Sequence, residues 1–330
     1  MEAHLKPLHQ RPDFPNYRTN RTSNGGRVIY SCGKEWVEAI GFLLAEFLSV
    51  HKLELYAGCF FFTHDHLDLG HPAADSAEEV PRFSAFFEDF HWWVFWLLKQ
   101  NGWEHGPVYN PLERTYQGPS LDSDQIWWDL VYDTSQAVTA GFVRRSKHYV
   151  GLCFQPEDVL KPRRFRRNRL IDRIDPDRKR FPREVASIQL GVPRPFQHLS
   201  REEYAEEFRR RLDEYEDSVA NPRAKTVWQA AADCRRRTIG KVLRTNGESR
   251  PNRVRSTLRP QPVNSTRNEL KRAYRKQRRE FWQEHRSSYE SLQEDSHDVK
   301  FPPGTYLWRR KLKLGCSRAQ TGCWEEFYPD

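Results

Sequence analysis

The first half of the chain alternates between segments with helical and with strand-like spacing of apolar residues. Residues 34–50 place apolar side chains three and four positions apart, which predicts an amphipathic helix. Residues 53–69 are β-prone and predict one strand, or two strands joined by a bend at Ala57–Gly58. Apolar helices are then predicted over residues 78–99 and 121–143.

Weaker strand signals complete this order. Residues 16–22 and 27–32 are two short strand candidates on either side of an Asn-Gly-Gly turn, and a third covers residues 113–117. Asp122 or Ser123 is expected to cap the last helix. The sequence therefore predicts an α/β fold of the α+β kind, a sandwich of helices on a mostly antiparallel sheet.

The second half of the chain is more basic and mainly helical in pattern. Ser200 and Glu203 form a capping-box sequence ahead of a helix. Further helices are predicted over residues 226–243 and 267–292, with a linker at 244–266. We therefore divide the chain into a disordered N-terminus (1–14), a catalytic domain (15–155) and a basic, mainly helical extension (156–330).

Charge and cysteine content narrow the function classes. The 54 Lys and Arg residues outnumber the 45 Asp and Glu residues, a net charge of +9 that favours a polyanionic partner such as nucleic acid. Solubility alone is the alternative explanation. The six cysteines contain no C-x-x-C pair, which argues against a disulfide framework or a zinc ribbon. No signal peptide or membrane span is visible, so we expect a cytoplasmic protein, associated with the nucleoid, without a membrane partner.

Two histidines in the predicted strand could share one metal ion. His64 and His66 are two residues apart, and side chains at this spacing point to the same face of a strand. Imidazole binds many divalent metals, although a lone H-x-H pair is common by chance.

A tyrosine and an amide share one face of the predicted helix 121–143. Tyr132 and Gln136 are four residues apart, so a phenol and an amide carbonyl would be presented together. Taken alone, an aromatic residue at this position is more often part of a core.

Together, these segments resemble the REP-associated tyrosine transposases, relatives of insertion-sequence transposases with one catalytic tyrosine. LYAGCFFFTHDHLDL (55–69) resembles the family strand with the His-hydrophobic-His (HUH) motif. PRFSAFFEDFHWWVFWLLKQNG (81–102) takes the place of the following helix. LVYDTSQAVTAGFV (130–143) resembles the segment with the tyrosine and an Asn or Gln four residues later. The match extends from about Tyr17 to Gly151.

The resemblance implies a ferredoxin-like HUH domain, a homodimer, and a DNA transposase that cleaves and rejoins single-stranded DNA at hairpins. Tyr132 would be the nucleophile, forming a 5′-phosphotyrosine, and no nucleotide cofactor would be needed. His64, His66 and Gln136 would hold the metal ion. Mg²⁺ or Mn²⁺ suits such a mixed nitrogen and oxygen site with open positions.

Two acidic residues depart from the family pattern. The residue between the histidines is usually hydrophobic, but here it is Asp65, which we expect to face away from the metal and into the core. Asp68 also replaces an apolar residue. Buried unpaired carboxylates are costly, so these acids must be paired or exposed, or the site has decayed. A relative that binds DNA hairpins without cutting them is therefore the alternative. A general nucleic-acid-binding protein with Tyr132 in its core, or a metallohydrolase, are weaker rivals.

Basic residues outside the motif are the predicted DNA contacts. Residues 161–183 either follow a DNA backbone, with Phe165 and Phe181 stacking on bases, or form a solvated loop. Helix 267–292 either binds DNA or packs back through Leu270, Tyr274 and Phe281. The individual side chains predicted to contact DNA are Arg114, Arg163, Arg164, Arg166, Arg167 and Arg169.

Overall fold

The protein has an α+β fold. The structure, a computed structural model, describes residues 16–21, 33–60, 64–70, 83–101, 116–220, 265, 267–293, 299–302 and 315–316. Their regular elements are, in chain order, β1 (Asn16–Arg21), α1 (Lys34–His51), β2 (Glu54–Phe60), β3 (His64–Gly70), α2 (Phe83–Gln100), β4 (Tyr116–Pro119), α3 (Ser123–Thr134), α4 (Gln136–Thr139), α5 (Glu157–Leu160), β5 (Arg163–Arg166), α6 (Arg169–Ile174), β6 (Val185–Ile188), α7 (Arg201–Val219), α8 (Asn268–Gln293), β7 (Lys300–Phe301) and β8 (Gly315–Cys316).

The first four strands form one antiparallel sheet in the order β2-β3-β1-β4. Strand β3, which carries both histidines, lies inside the sheet between β2 and β1. Its register places His64 opposite Arg21 of β1 and His66 opposite Cys59 of β2. A central strand is hydrogen-bonded on both edges, so the backbone at the histidines is held firmly.

Helices cover both faces of this sheet. The odd-numbered residues of β3 face α2, since Asp65 lies 3.8 Å from His91 of that helix. The even-numbered residues face α3, since His66 lies 3.0 Å from Asp133. Helices α1 and α2 pack together, and α3 packs on β2 and β3. The histidine face of β3 is therefore the face that α3 covers.

The hydrophobic core continues past the predicted domain boundary at residue 155. It runs from Val37 to Leu212. Strands β5 and β6 pack on α1, helix α6 packs on α2, and α7 packs on α3. The high arginine content of residues 161–183 suggested an extension, but the apolar residues between those arginines belong to the core.

The predicted elements of the first half that lie in the described residues are largely confirmed, most ends within three residues, although α2 begins at Phe83, five residues after the predicted start. Two strands do form over residues 53–69, but the bend at Ala57–Gly58 is wrong because β2 continues to Phe60. The predicted helix 121–143 is divided at Ser135 into α3 and α4. Both capping predictions hold: the Asp122 side chain accepts a hydrogen bond from Gln125 N, and Ser200 and Glu203 form a capping box.

The basic helix near the C-terminus is confirmed as α8, and its apolar stripe of Leu270, Tyr274 and Phe281 is buried. The remaining predictions for residues 1–14, 27–32, 226–243 and most of the 244–266 linker lie outside the described residues. Within the described ranges, no helix has both the length and the hydropathy needed to cross a membrane.

Candidate active site between β3 and α3

His66 lies at the centre of the interface between β3 and α3. Its side chain is buried, and its Nδ1 is 3.0 Å from Oδ1 of Asp133. Its ring meets the Tyr132 ring edge to face, with the two centroids 5.8 Å apart. The predicted metal ligand and the predicted nucleophile are therefore neighbours in space.

His64 begins the same strand, two residues before His66. Alternation along the strand places the two residues on the same side of the sheet. The His64 side chain itself lies outside the described part of the chain.

Tyr132 and Gln136 lie at the end of α3 and the start of α4. The Tyr132 ring is half-buried and stacks on Trp128 at 4.7 Å with an angle of 13° between the ring planes. Gln136 is buried, and its Nε2 donates a hydrogen bond to the carbonyl oxygen of Tyr132 at 3.0 Å. Because the amide nitrogen is used in this way, the amide oxygen is the Gln136 atom suited to a metal ion.

Two buried carboxylates in this interface were not among the predicted site residues. Asp68 shares the histidine face of β3, and Asp133 follows Tyr132 on α3. Both are essentially inaccessible; Asp133 has His66 Nδ1 at 3.0 Å, whereas within the described chain the Asp68 oxygens accept no hydrogen bond. Burial, reinforced by neighbouring carboxylates, raises the pKa of Asp68 and of Asp133 well above the ordinary range. Strand alternation could have placed Asp68 in the site, because residues 64, 66 and 68 are all even-numbered and so share one face of β3.

Asp65 and Asp129 are buried acids with partners. Asp65 faces the opposite side of the sheet from His66, as predicted, and lies 3.8 Å from His91 Nε2. Asp129 accepts hydrogen bonds from Ser120 Oγ and, at 2.8 Å, from Gln125 Nε2. The unusual residue between the histidines is therefore accommodated by a neighbour on α2.

The donor set suits a hard divalent cation. His66 and Asp133 place an imidazole beside a buried carboxyl, and Asp68 on β3 is a second buried carboxyl. Gln136, on the turn after Tyr132, carries an amide oxygen, and such nitrogen and oxygen donors suit a divalent ion. In the described part of the chain, no three His, Cys, Asp or Glu side chains converge as a metal-binding group. The predicted ligand set is not such a group, because Gln136 is an amide and because the His64 side chain lies outside the described residues.

The predicted DNA-binding arginines divide into exposed and internal side chains. Arg164, Arg166 and Arg169 are exposed, on β5 and α6. Arg163 is partly buried, with its guanidinium over the Phe154 and Phe165 rings and donating to the Cys153 carbonyl. Arg114 lies outside the described residues.

Arg167 has a structural role. Its side chain is 1% exposed, pairs with Asp172 and Asp175, and donates to the carbonyl oxygens of Asp175 and Phe181. These contacts connect β5 to the segment after α6. Reaching a phosphate would require breaking them, so Arg167 is not part of an exposed DNA surface here.

The predicted stacking role of Phe165 and Phe181 is wrong. Both rings belong to the hydrophobic core and are almost fully buried. Phe165 packs against Gly41 of α1, and Phe181 contacts the rings of Phe47 and Trp93. Residues 161–183 are therefore not a solvated loop, and their two phenylalanines are not available to stack on DNA bases.

Comparison with known proteins gives no relative: no family model matches the chain, and no curated protein or solved structure matches it. The motif residues and the geometry of the β3–α3 interface are therefore the features that bear on function.

Replacing Asp68 with asparagine should stabilise the metal-free protein increasingly as the pH rises. A buried acid with a raised pKa favours folding below its unfolded pKa, near 4, and opposes folding progressively above it. Between the unfolded and the folded pKa of this group, the free energy of unfolding of the wild type should fall by up to about 1.4 kcal/mol per pH unit. Urea denaturation with a chelator at several pH values measures the difference. Asp177→Asn, at an exposed position, is the control and should show no such trend; a constant gap for Asp68→Asn would contradict the prediction.

Proposed function

We propose that the chain is a metal-dependent HUH transposase that cleaves and rejoins single-stranded DNA at hairpins, with Tyr132 as nucleophile. The observation that carries the proposal is the contact between the Tyr132 and His66 rings, 5.8 Å apart across the β3–α3 interface. The sequence motif pairs these residues over a separation of more than sixty positions, and the fold places them side by side.

The topology supports the ferredoxin-like part of the proposal. The elements β1, α1, β2, β3, α2 and β4 follow one another as β-α-β-β-α-β. Their strand order, β4-β1-β3-β2 from one edge, is the one expected when two β-α-β units interlock in one antiparallel sheet. In this arrangement α3 lies after the last strand, on the histidine face.

Tyr132 has the position required of a nucleophile. Its ring is half-buried rather than enclosed in the core, as expected of a residue that meets a substrate. The phenolic oxygen bonds to phosphorus and loses its proton, while the bond from phosphorus to the 3′ oxygen breaks and that oxygen takes up a proton. The 5′ side remains attached as phosphotyrosine. Attack by a 3′-hydroxyl reverses these bonds, which explains why joining needs no nucleotide cofactor.

His64, His66 and Gln136 would hold the Mg²⁺ or Mn²⁺ ion. When bound, the ion polarises a phosphoryl oxygen and aligns the scissile phosphate. Asp133 would position the His66 ring: with Nδ1 beside this carboxyl group, Nε2 would be left to bind the ion. The buried carboxyl of Asp68 in the same interface would favour cation binding in its deprotonated form.

Exposed arginines support a polyanionic substrate. Arg164 and Arg166 present positive charge on β5, and the exposed Arg169 after it pairs with Glu35 at 2.7 Å. On α8, one largely exposed face carries Arg272, Arg275, Arg278 and Arg279. Phosphate neutralisation by such groups releases counterions and makes affinity depend on salt. We include the homodimer and the nucleoid location in the proposal on the strength of the sequence resemblance.

The alternative is a relative that binds hairpins without cutting them. Asp68 favours it, because a buried carboxylate without a hydrogen-bond partner is costly unless a cation or a proton compensates it. Intact hairpin binding without nicking would establish this alternative.

The test is formation of a covalent protein–DNA adduct. Wild-type protein is incubated with end-labelled single-stranded hairpin DNA from the flanks of its own gene, with Mn²⁺ or with a chelator, and resolved on a denaturing gel. A labelled band that requires Mn²⁺ supports the proposal. Nicked DNA without an adduct would indicate a hydrolase, and binding without nicking would support the alternative.

Replacing Asp133 with asparagine should weaken Mn²⁺ binding by about 10- to 100-fold, the usual effect of losing the carboxylate behind a ligating histidine. Asparagine keeps the size of the side chain but replaces the carboxyl beside Nδ1 with an amide, which cannot take a negative charge. Titration of free Mn²⁺ by electron paramagnetic resonance measures this without relying on activity. Asp129→Asn, one helical turn away with Ser120 and Gln125 as hydrogen-bond partners, is the matched control. An equal loss in both variants would mean that general charge, and not the contact, sets the affinity.

A further inference from the structure

We propose that Trp128 is a stacking platform for an unpaired base of the DNA strand presented to Tyr132. The inference rests on the proposed function and adds a base-binding residue that the sequence motif does not contain. Such a platform would bind a nucleotide whose base is unstacked on one face, as in single-stranded DNA and not within a duplex.

Trp128 is unusually exposed for its residue type. Half of its surface is accessible, although it lies in the middle of α3. The preceding residue, Trp127, is 6% exposed and stacks on Phe196 and Tyr204, with Arg211 over its ring. Adjacent tryptophans on this helix therefore have opposite environments, and only Trp127 is used to hold the fold together.

The exposed ring belongs to an aromatic column that leads into the site. Trp128 is nearly parallel to Tyr132, at 4.7 Å, and Tyr132 meets His66 edge to face. A base stacked on the outer face of Trp128 would extend this column by one ring. Its own phosphates would then lie beside the nucleophile rather than elsewhere on the protein.

Charge makes stacking the suitable means of binding at this place. The sequence from residue 120 to residue 143 contains no Lys or Arg, whereas it contains Asp122, Asp124, Asp129 and Asp133. Phosphate contacts from α3 itself cannot supply affinity. An aromatic surface attracts the base without regard to phosphate charge, and each stacked base contributes about 1–3 kcal/mol.

Binding of a fluorescein-labelled thymidine oligonucleotide, followed by anisotropy, tests the inference. All variants carry Tyr132→Phe and are measured with a chelator, so cleavage does not interfere. Trp128→Ala should weaken binding on the order of 10-fold, and Trp128→Phe should restore most of it. Trp92→Ala, the other highly exposed tryptophan among the described residues, is the control and should bind normally. Circular dichroism melting checks that each variant is folded.

An oligonucleotide of abasic sugars separates stacking from phosphate binding. The Trp128→Ala loss should disappear on this probe. Normal thymidine binding by Trp128→Ala, or an equal loss on both probes, would overturn the inference while leaving the adduct test unaffected. A thymidine-specific loss in a protein that forms no adduct would retain the stacking site and reject the tyrosine chemistry.

Discussion

Phenylalanine in place of Tyr132 should abolish the covalent DNA adduct, lowering its yield by at least about 1000-fold, because the attacking oxygen is removed. The substitution keeps the ring that stacks on Trp128 and meets His66. The fold and DNA binding should therefore be retained. The adduct is measured with end-labelled hairpin DNA and Mn²⁺ on a denaturing gel.

Tyr215→Phe provides the matched control for this experiment. Tyr215 is a partly buried tyrosine on α7 that packs against the core. Removing the Tyr215 hydroxyl should leave the yield of the covalent adduct unchanged. An adduct that persists in Tyr132→Phe would place the nucleophile on another residue and would contradict the assignment from the motif.

Truncation of Phe165 to alanine should destabilise the protein by about 3–5 kcal/mol, the usual cost of emptying a buried aromatic site. The ring is 1% exposed, lies against Gly41 of α1 and meets Phe154 edge to face. Arg163 also lies over it, so two side chains lose a packing partner. Urea denaturation at neutral pH measures the change in the free energy of unfolding.

Val185→Ala is the control, on the partner strand β6. Val185 is 44% exposed, so its truncation should change stability by only about 0.5 kcal/mol. Equal effects of the two substitutions would mean that β5 is not held on the core. In that case, the original interpretation of Phe165 as a base-stacking residue would become viable again.

Local signals accounted for the elements of the first half of the chain. Helix α1 follows from the spacing of its apolar residues, and the start of α3 follows from the Asp122 side chain that caps it. Predictions failed where burial decided the outcome. Phe165 and Arg167 lie among arginines in the sequence, which suggested exposure, but both side chains are enclosed.

The candidate site was predictable in its motif residues and not in its acids. Alternation placed His64 and His66 on one face of β3, and helical spacing placed Tyr132 and Gln136 near one another. Asp133 was not recognised, because its importance depends on the rotation of α3 over the sheet. Asp68 is even-numbered like His64 and His66, so strand alternation places it on their side of β3. Alternation does not show whether an acid on that side is buried without a hydrogen-bond partner.

By itself, the sequence determined helices α1, α7 and α8, the caps of α3 and α7, and the two-residue spacing of the histidines along β3, since each depends on residues within a few positions of one another. Only the tertiary structure decided that α3 covers the histidine face of β3, that Asp133 lies beside His66, and that Asp65 faces His91 on α2. It also decided that the core continues through β5, α6 and α7. These outcomes depend on contacts between segments far apart in the chain, where competing packings bury similar apolar area and local patterns do not distinguish them.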